Sequence, residues 1–470
     1  MIRLPSAWLY TFVWALSLAG QLCGKPALGH VAGMLLAVFL VLELPRQRRY
    51  AQVFFVAMAL LGTAGLLTTL HPMSLLLAAL SRSAVYAAFF FALATLRRAA
   101  EHSALIRRCG EHLVAQPPGR RYLALTAGGH VFGIILSYGA IELLGAMVVR
   151  ANTLQAAGGN SEVRALRARR MLMAVYRGFA TMNCWSPLNL MTAVVSTAVP
   201  GATLAPLLPL AFAVSVGMCA IGWALDRLHT LTGRVLAAPA TSESWSIHLR
   251  VVSLVALVMG LSEFAVAGFG IGLVTAVTLV VPAVALAWVA IQCRGRGWRV
   301  AAWLFARRLR RFLAGVPDFR GEANVLGLSG FVGVALGAVL AGGKTITVLT
   351  LLPPIVIPLG VPVLLMAAGQ VGLNPVATVA LIGAVLPDPA AFGVAPAVLA
   401  FACMLGWGIG VSVTAMSASA ITTARWLGVS PFVVSTKWNA RFTLGCLLLA
   451  WAAIAGLHYS SAAVLGWSLP

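Results

Sequence analysis

Acidic residues are the scarcest feature of this 470-residue sequence: 11 Asp and Glu stand against 33 Lys and Arg, and charged residues of both signs make up only 9% of the chain. A soluble domain carries about a quarter charged residues, so the composition excludes an ordinary water-soluble fold. The shortage of acid also leaves no dense carboxylate or histidine cluster of the kind metal-dependent catalysis uses. The sequence contains neither a GxxxxGK[ST] phosphate loop nor an HExxH motif. GGKT at 342–345 lacks the rest of a phosphate loop and reads as a turn. Cys23, Cys109, Cys184, Cys219, Cys293, Cys403 and Cys446 are odd in number and never spaced CxxC, which excludes a disulfide framework or a zinc site. No enzyme, resident metal or cofactor is implied, apart from a sodium ion in a coupling role.

What the chain has is apolar length. Hydrophobic residues are 61% of the sequence, and mean hydropathy is +0.95. The net charge of +22 would suggest nucleic acid in a soluble protein. Here the basic residues fall between apolar runs, where they set orientation and meet anionic lipid, so no nucleic-acid partner is expected.

Loop charge gives the expected topology. Apolar runs at 7–24 and 27–44 precede Arg46, Arg48 and Arg49, and placing that cluster inside puts the N-terminus in the cytoplasm. The first run has one basic residue before it and no small-residue cleavage pattern after it, so a retained helix is expected rather than a signal peptide. Runs at 51–69 and 73–96 cross out and back to a cytoplasmic loop, 97–121, that holds six arginines. Arg82 falls within 73–96, where it either snorkels to a headgroup or faces an anion path. Runs at 204–225, 251–268 and 270–292 are further crossings. The loop 294–320, with eight arginines, is expected to form an amphipathic helix on anionic lipid and to divide the chain into halves.

Two stretches do not fit simple crossings. The apolar run 122–149 lies between Arg121 and Arg150, both wanting the same side. A crossing takes about 20 residues, so the run is too short for two and is expected to be a re-entrant hairpin with its tip near Ser137, Tyr138 and Gly139. The stretch 345–387 is broken by Pro353, Pro354, Pro358, Pro362, Gly369, Gly372 and Pro375. It is expected to be a second hairpin entering from the other face, with Lys344 outside before it and polar Gln370 and Asn374 within it.

Each hairpin is followed by an interrupted apolar segment. Residues 177–201 contain SPLN (Ser186, Pro187, Leu188, Asn189), and residues 406–431 contain SASA (Ser417 to Ala420). Pro200 follows Ser186 at the same interval as Pro431 follows Ser417. Proline removes a backbone donor and clashes with the preceding turn, so the first helix is expected to unwind at Pro187. Such backbone is tolerated at membrane depth only where it is buried in protein or lines a wet cavity. Paired broken segments in two halves of a chain point to a transporter binding site. The expected fold is therefore an all-α polytopic membrane protein with about 11 transmembrane segments, two re-entrant hairpins and two interrupted helices in an inverted repeat. Its expected parts are scaffold helices at 1–121, a first repeat at 122–250, linking helices and a basic loop at 251–324, and a second repeat at 325–470.

These residues carry a resemblance. GGHVFGIILSYG in the first hairpin, SPLN, GLNP at 372–375 and SASA make the region 122–457 resemble the ion transporter superfamily. That group includes divalent-anion/sodium symporters, citrate carriers, arsenite permeases and the large membrane subunits of tripartite carboxylate transporters. The resemblance implies an elevator mechanism, often in a homodimer, with the SPLN and SASA residues lining substrate and coupling-ion sites. Dicarboxylate carriers of the group show Ser-Asn-Thr at both places. Here Asn189 lies two residues beyond Pro187, and SASA has no asparagine.

Half-helix N-termini offer unpaired N–H groups and a positive dipole end to an anion. Candidate substrate ligands are Ser186, Pro187, Asn189, Ser417, Ser419, Ser137 and Asn374. The plainer reading of any one serine is a bond to the preceding turn or a neighbouring helix. Carbonyls freed at the breaks are candidate sodium ligands. Other coupling-ion candidates are Glu142, His130, Thr181 and Thr414, with a packing role as the plainer reading of His130. Cys184 beside the first break reads as a small buried hydrophobe. The expected function is secondary active transport of a small anion, such as an organic carboxylate, across the bacterial inner membrane with sodium or proton coupling. The rival is a flippase or exporter for a larger amphipathic or lipid-linked anion, to which Arg82 and Arg177 lend support.

Overall fold

Residues suited to helix ends divide the apolar runs into helices. Pro26, Pro72, Pro118, Pro375 and Pro396 stand in the first turn, where the missing N–H costs nothing. Gly270 and Gly428 close two others in the left-handed conformation. In a computed structural model that describes residues 3–47, 49–228, 244–294, 297–340 and 351–465, the chain is all-α, with no strand among the described residues.

The first four helices are α1 (Arg3–Leu22), α2 (Pro26–Glu43), α3 (Arg49–Leu67) and α4 (Pro72–Glu101). The expected loop after α4 instead holds α5 (Ala104–Val114), whose Ile106, Cys109, Leu113 and Val114 are buried while Arg107, Arg108 and Glu111 face outward. The arginine count concealed this amphipathic helix. The first hairpin is α6 (Pro118–Leu136) and α7 (Gly139–Ala151), turning at Ser137 and Tyr138 as expected. The first interrupted helix is α8 (Ser161–Met182) and the half-helix α9 (Leu190–Ala198), followed by α10 (Leu207–Leu228).

Next come α11 (Ser246–Phe269), α12 (Leu273–Gln292), the arginine-rich α13 (Trp298–Gly315), which contains no buried residue, and α14 (Arg320–Leu340). The second half comprises α15 (Val356–Gln370), α16 (Pro375–Val385), α17 (Pro396–Val413), the half-helix α18 (Ala418–Leu427) and α19 (Ala440–Leu465). Lys344 and the GGKT sequence lie outside the described residues, as does most of the expected loop before Arg250.

Seven helices among the described residues are long and apolar enough to cross a bilayer, fewer than the sequence suggested. Three more apolar helices, Ala51–Leu67, Val356–Gln370 and Pro375–Val385, are shorter. Of the expected spans, 177–201 is divided by its break into pieces too short to span alone, and the helix at 51–67 is a little short.

The halves repeat one packing scheme. Arm α6 lies along α8, and arm α15 lies along α17. The other arms cross over: α7 packs on α18, and α16 packs on α9. Helices α10 and α19 pack on each other and on the first parts of the interrupted helices. Around this unit, α1, α2, α3, α4 and α14 pack together, with α12 against α4. The span Pro396–Leu427 is 89% buried over its most apolar window, against 28% for Ser246–Phe269. Helix α17 is thus the axis of the molecule, and α11 presents most of its surface outward.

Glycines permit the closest crossings. A Cβ on Gly178 would overlap the Thr126 carbonyl, and one on Gly129 the Val175 carbonyl, so α6 and α8 meet backbone to backbone. Gly383 of α16 meets the Ala198 carbonyl of α9 in the same way. We expect Gly178→Ala to lower thermal stability by about 1–3 kcal/mol, the cost of overpacking. Gly260→Ala, in a helix with open space at the new Cβ, should be neutral or stabilising by up to about 1 kcal/mol. Thermal unfolding of the two detergent-purified variants checks the contrast, and equal effects would remove the tight crossing.

Candidate functional site

The first break is held by side chains of its own sequence. Helix α8 stops at Met182, and Asn189 caps α9 by accepting from the Met191 N–H at 3.0 Å. Asn183 turns back to donate to the Phe179 carbonyl at 2.7 Å and accepts from Asn189 Nδ2 at 2.6 Å. Ser215 of α10 donates to the Thr181 carbonyl, and Thr192 donates to the Ser186 carbonyl at 2.9 Å. Pro187 is buried among these. One group is left over: Ser186 is fully buried and its hydroxyl has no partner. An unpaired buried hydroxyl costs free energy; Ser186 Oγ is one of seven buried side-chain atoms without a partner among the described residues.

His130 of α6 joins the hairpin to this break. Its Nε2 accepts from Trp185 Nε1 at 2.7 Å, its Nδ1 lies 3.4 Å from Thr181 Oγ1, and the Trp185 ring stacks on it. Thr181 itself donates to carbonyls of its preceding turn. Both residues therefore have structural partners at the edge of the break.

The second break is satisfied mostly from a distance. Ser417 caps α18 through the Ala420 N–H, donates to the Thr414 carbonyl at 2.9 Å and lies 3.1 Å from Ser419 Oγ. Thr414 bonds back to Gly410. The other freed carbonyls of α17 take donors from three elements. Tyr176 reaches Val411 and Ser412, Asn439 reaches Ser412 at 2.8 Å, and Gln370 reaches Val413 at 2.9 Å. The carbonyls expected to be open for sodium are thus already occupied by hydroxyl and amide donors. Asn374 caps α16 from the hairpin turn, and Gly372 beside it, at φ 87°, faces the Met416 sulfur. The tip of the second hairpin therefore rests on the second break.

Only the tertiary fold brings the first break against the helix that leads to the second. A Cβ on Gly408 of α17 would overlap Cys184 Sγ and come within 3.0 Å of the Ala180 carbonyl. Cys184 is fully buried in this crossing. Beside it lies Arg177, 9% exposed, whose Nε donates to Asn439 Oδ1 at 2.9 Å and whose NH1 donates to the Tyr122 hydroxyl at 3.1 Å. Its guanidinium also sits 4.9 Å from the Phe442 ring centroid. All of these partners are neutral, so a whole positive charge is held next to the second break.

Two candidates lie elsewhere. Ser137 is exposed at the turn of the first hairpin, at φ 52°, a strained conformation for serine. Its neighbour Tyr138 donates to Glu322 of α14 at 3.0 Å and lies under Arg97. Glu142 forms an ion pair with Arg425 at the end of α18, away from both breaks. Arg82 donates to the Thr197 carbonyl at 3.0 Å, at the negative end of the α9 dipole, beside a Tyr86 hydroxyl bonded to Thr197 Oγ1. Among the polar residues that hold the breaks, the sequence reading missed Tyr176, Asn183 and Asn439. Asn183 was within reach, one residue past a helix that had to end. Asn439 was not, because its partner Arg177 lies 262 positions away.

The two serines are expected to separate. Ser417→Ala removes a cap and should cost about 1 kcal/mol. Ser186→Ala removes an orphaned hydroxyl and should leave the ligand-free protein as stable or more stable, by up to about 1 kcal/mol. Thermal unfolding without ligand measures both, and a clear loss of stability in Ser186→Ala would mean that its hydroxyl has a partner.

No protein-family model matches this sequence, and no curated protein matches it. By fold, the chain is similar to the YdaH transporter of Alcanivorax borkumensis, whose crystal structure shows an unusual topology: the TM-score is 0.56 at 15% identity, over 93% of this chain and 99% of that one. It is also similar to MtrF of Neisseria gonorrhoeae, described within a class of antimetabolite efflux pumps, with a TM-score of 0.50 at 14% identity over 78% of this chain and 80% of the other. The chain is a multi-pass, all-α membrane protein that shares its fold with these two.

Proposed function

We propose that this protein is a secondary active transporter that carries a small organic anion across the bacterial inner membrane. The observation that carries the reading is the crossing of the two interrupted helices at Gly408 and Cys184, with the orphaned Ser186 hydroxyl on one strand of the crossing. Broken helices from two halves of a chain, meeting in the protein interior, are how transporters build a site between repeats. The sign of the solute is inferred from Arg177, a buried cation with only neutral partners, and from the positive dipole ends of the half-helix N-termini. Ser186, Pro187, Asn189, Ser417, Ser419 and Asn374 are the proposed substrate-side residues, with Ser137 at the mouth of the first hairpin.

The transporter fold shared with YdaH and MtrF supports this reading, as does the resemblance to the ion transporter superfamily. In this reading the hairpins and interrupted helices move as one body against the remaining helices, in an elevator stroke, and the N-terminus is cytoplasmic. A dimer is the proposed assembly. Coupling is to sodium or to protons. A sodium ion would take over carbonyls now bonded to Tyr176, Ser417 or Thr436 hydroxyls, and those hydroxyl oxygens can turn to become ligands themselves.

A second reading, an exporter of a larger amphipathic anion, is favoured by one observation: MtrF, of similar fold, is described as an efflux pump of antimetabolites. One experiment addresses both. Purified protein is screened by thermal shift against small carboxylates, inorganic oxyanions and larger amphipathic anions, with and without sodium and at two pH values. A ligand at 100 times its dissociation constant stabilises by about 2.7 kcal/mol. We expect a small carboxylate to stabilise the protein, Ser186→Ala to abolish the shift, and proteoliposomes to exchange that solute under a sodium or proton gradient. Stabilisation by amphipathic anions alone would replace the first reading with the second.

A further inference from the structure

On the side of the arginine-rich loops, an open cavity of about 1640 Å³ runs between α5, α7, the segment after α7 and the end of α18. Ligand pockets are commonly about 300–1,000 Å³, so this is a vestibule rather than a closed pocket. Its walls carry unequal charge. Of its three carboxylates, Glu101 is paired with Arg97 and Arg98, and Glu142 is paired with Arg425. Glu111 remains to offset Arg107, Arg121, Arg150 and Arg167. Arg121 and Arg167 donate to the neutral carbonyls of Gln116 and Ala156, at 2.7 and 2.5 Å. Among the described residues, no carboxylate lies within ion-pair distance of any of these four guanidinia.

One helix leads from the vestibule wall to the second break. Leu136 and Gly139, which flank the strained Ser137, form part of its wall, and so does Trp426. Trp426 lies in the last turn of α18, a ten-residue helix about 15 Å long whose other end is the Ser417 cap of the second break. Met147, Leu143 and Trp426 add apolar surface between the arginines.

We infer that this vestibule is a second, peripheral anion site, which captures a polyvalent organic anion on Arg107, Arg121, Arg150 and Arg167 before it reaches the paired breaks. The site takes at least two negative charges, because four guanidinia spread around a wide chamber outmatch a single carboxylate. The inference deepens the anion-carrier reading and rests on it for the direction of traffic, though not for binding. Lipid headgroups and soluble anions share this chemistry. Protection by citrate in detergent micelles distinguishes the soluble one.

The test places a cysteine in the wall, as Ala146→Cys in a Cys23→Ser background, with the protein lacking that wall cysteine as blank. Its modification is timed in detergent micelles with anionic (2-sulfonatoethyl), cationic (2-trimethylammonioethyl) and neutral (methyl) methanethiosulfonate reagents. We expect the anionic reagent to gain about tenfold or more over the cationic one, relative to free 2-mercaptoethanol, because a one-sign cleft concentrates counter-ions to that extent. Arg107→Gln with Arg150→Gln, two exposed side chains, should return most of that gain, with an unchanged unfolding temperature as control. Millimolar citrate should slow the neutral reagent in the parent protein and not in the double variant. Rates that match free thiol, or that ignore the arginines, overturn the inference. A raised anionic rate without protection by citrate shows a field but no site and overturns it as well. Protection by citrate in a protein that exchanges no anion in proteoliposomes leaves the site standing and removes the transporter reading instead.

Discussion

Everything unusual in this molecule follows from one constraint: within a bilayer, a backbone group without a partner inside the protein has none at all. Interrupting two helices at depth frees the last carbonyls of one segment and the first N–H groups of the next. At the second break the freed carbonyls draw in Tyr176 from α8, Gln370 from the second hairpin and Asn439 from the segment before α19. The break is therefore a junction where four chain segments are bolted together. At the first break the work is done locally, by Asn183, Asn189 and Thr192, with Ser215 from α10. The two halves reach one end by different means.

That asymmetry bears on function. A break capped by its own residues can keep its shape as its surroundings slide, whereas a break capped by neighbours is tied to their positions. Arg177 belongs to the second arrangement: through Asn439 its charge is linked to the Ser412 carbonyl, and through Tyr122 to the start of the first hairpin. A buried cation without a counter-ion is costly to keep, and in membrane segments such groups are held for function. Arg82 shows the contrasting case, in which a membrane arginine serves as the cap of a half-helix C-terminus, where the dipole supplies the opposite charge.

Close packing supplies the remaining order. The arms of each hairpin reach the opposite half, α7 to α18 and α16 to α9, and glycines at 145 and 383 let them approach. Lipid offers no hydrophobic drive for helices to associate, so surface contact of this kind does much of the holding. The charge that the interior cannot accept collects at one rim, where it makes the vestibule.

Much of the architecture was legible in the chain itself. Bilayer thickness turns run length into helices, the run 122–149 turns where the sequence placed its tip, and Pro187 with Asn189 and Ser417 mark the breaks by chemistry that holds locally: proline cannot continue a helix, and short polar side chains cap one. The amphipathic α5 was hidden because charge count speaks louder than period in an eleven-residue stretch. Far less of the site could be read. Glu142 was a coupling-ion candidate by sequence, and its partner Arg425, 283 positions away, could not be read from the chain. For His130 the plainer expectation was a packing role, and the structure supplies its partners, Trp185 and Thr181. Run lengths, caps and breaks depend on neighbours in sequence, so the sequence by itself determined that this is a membrane protein with two interrupted helices. Which polar groups are already satisfied, that the Ser186 hydroxyl is among those left without a partner, and that Cys184 meets Gly408 depend on neighbours in space, and only the tertiary structure decided those.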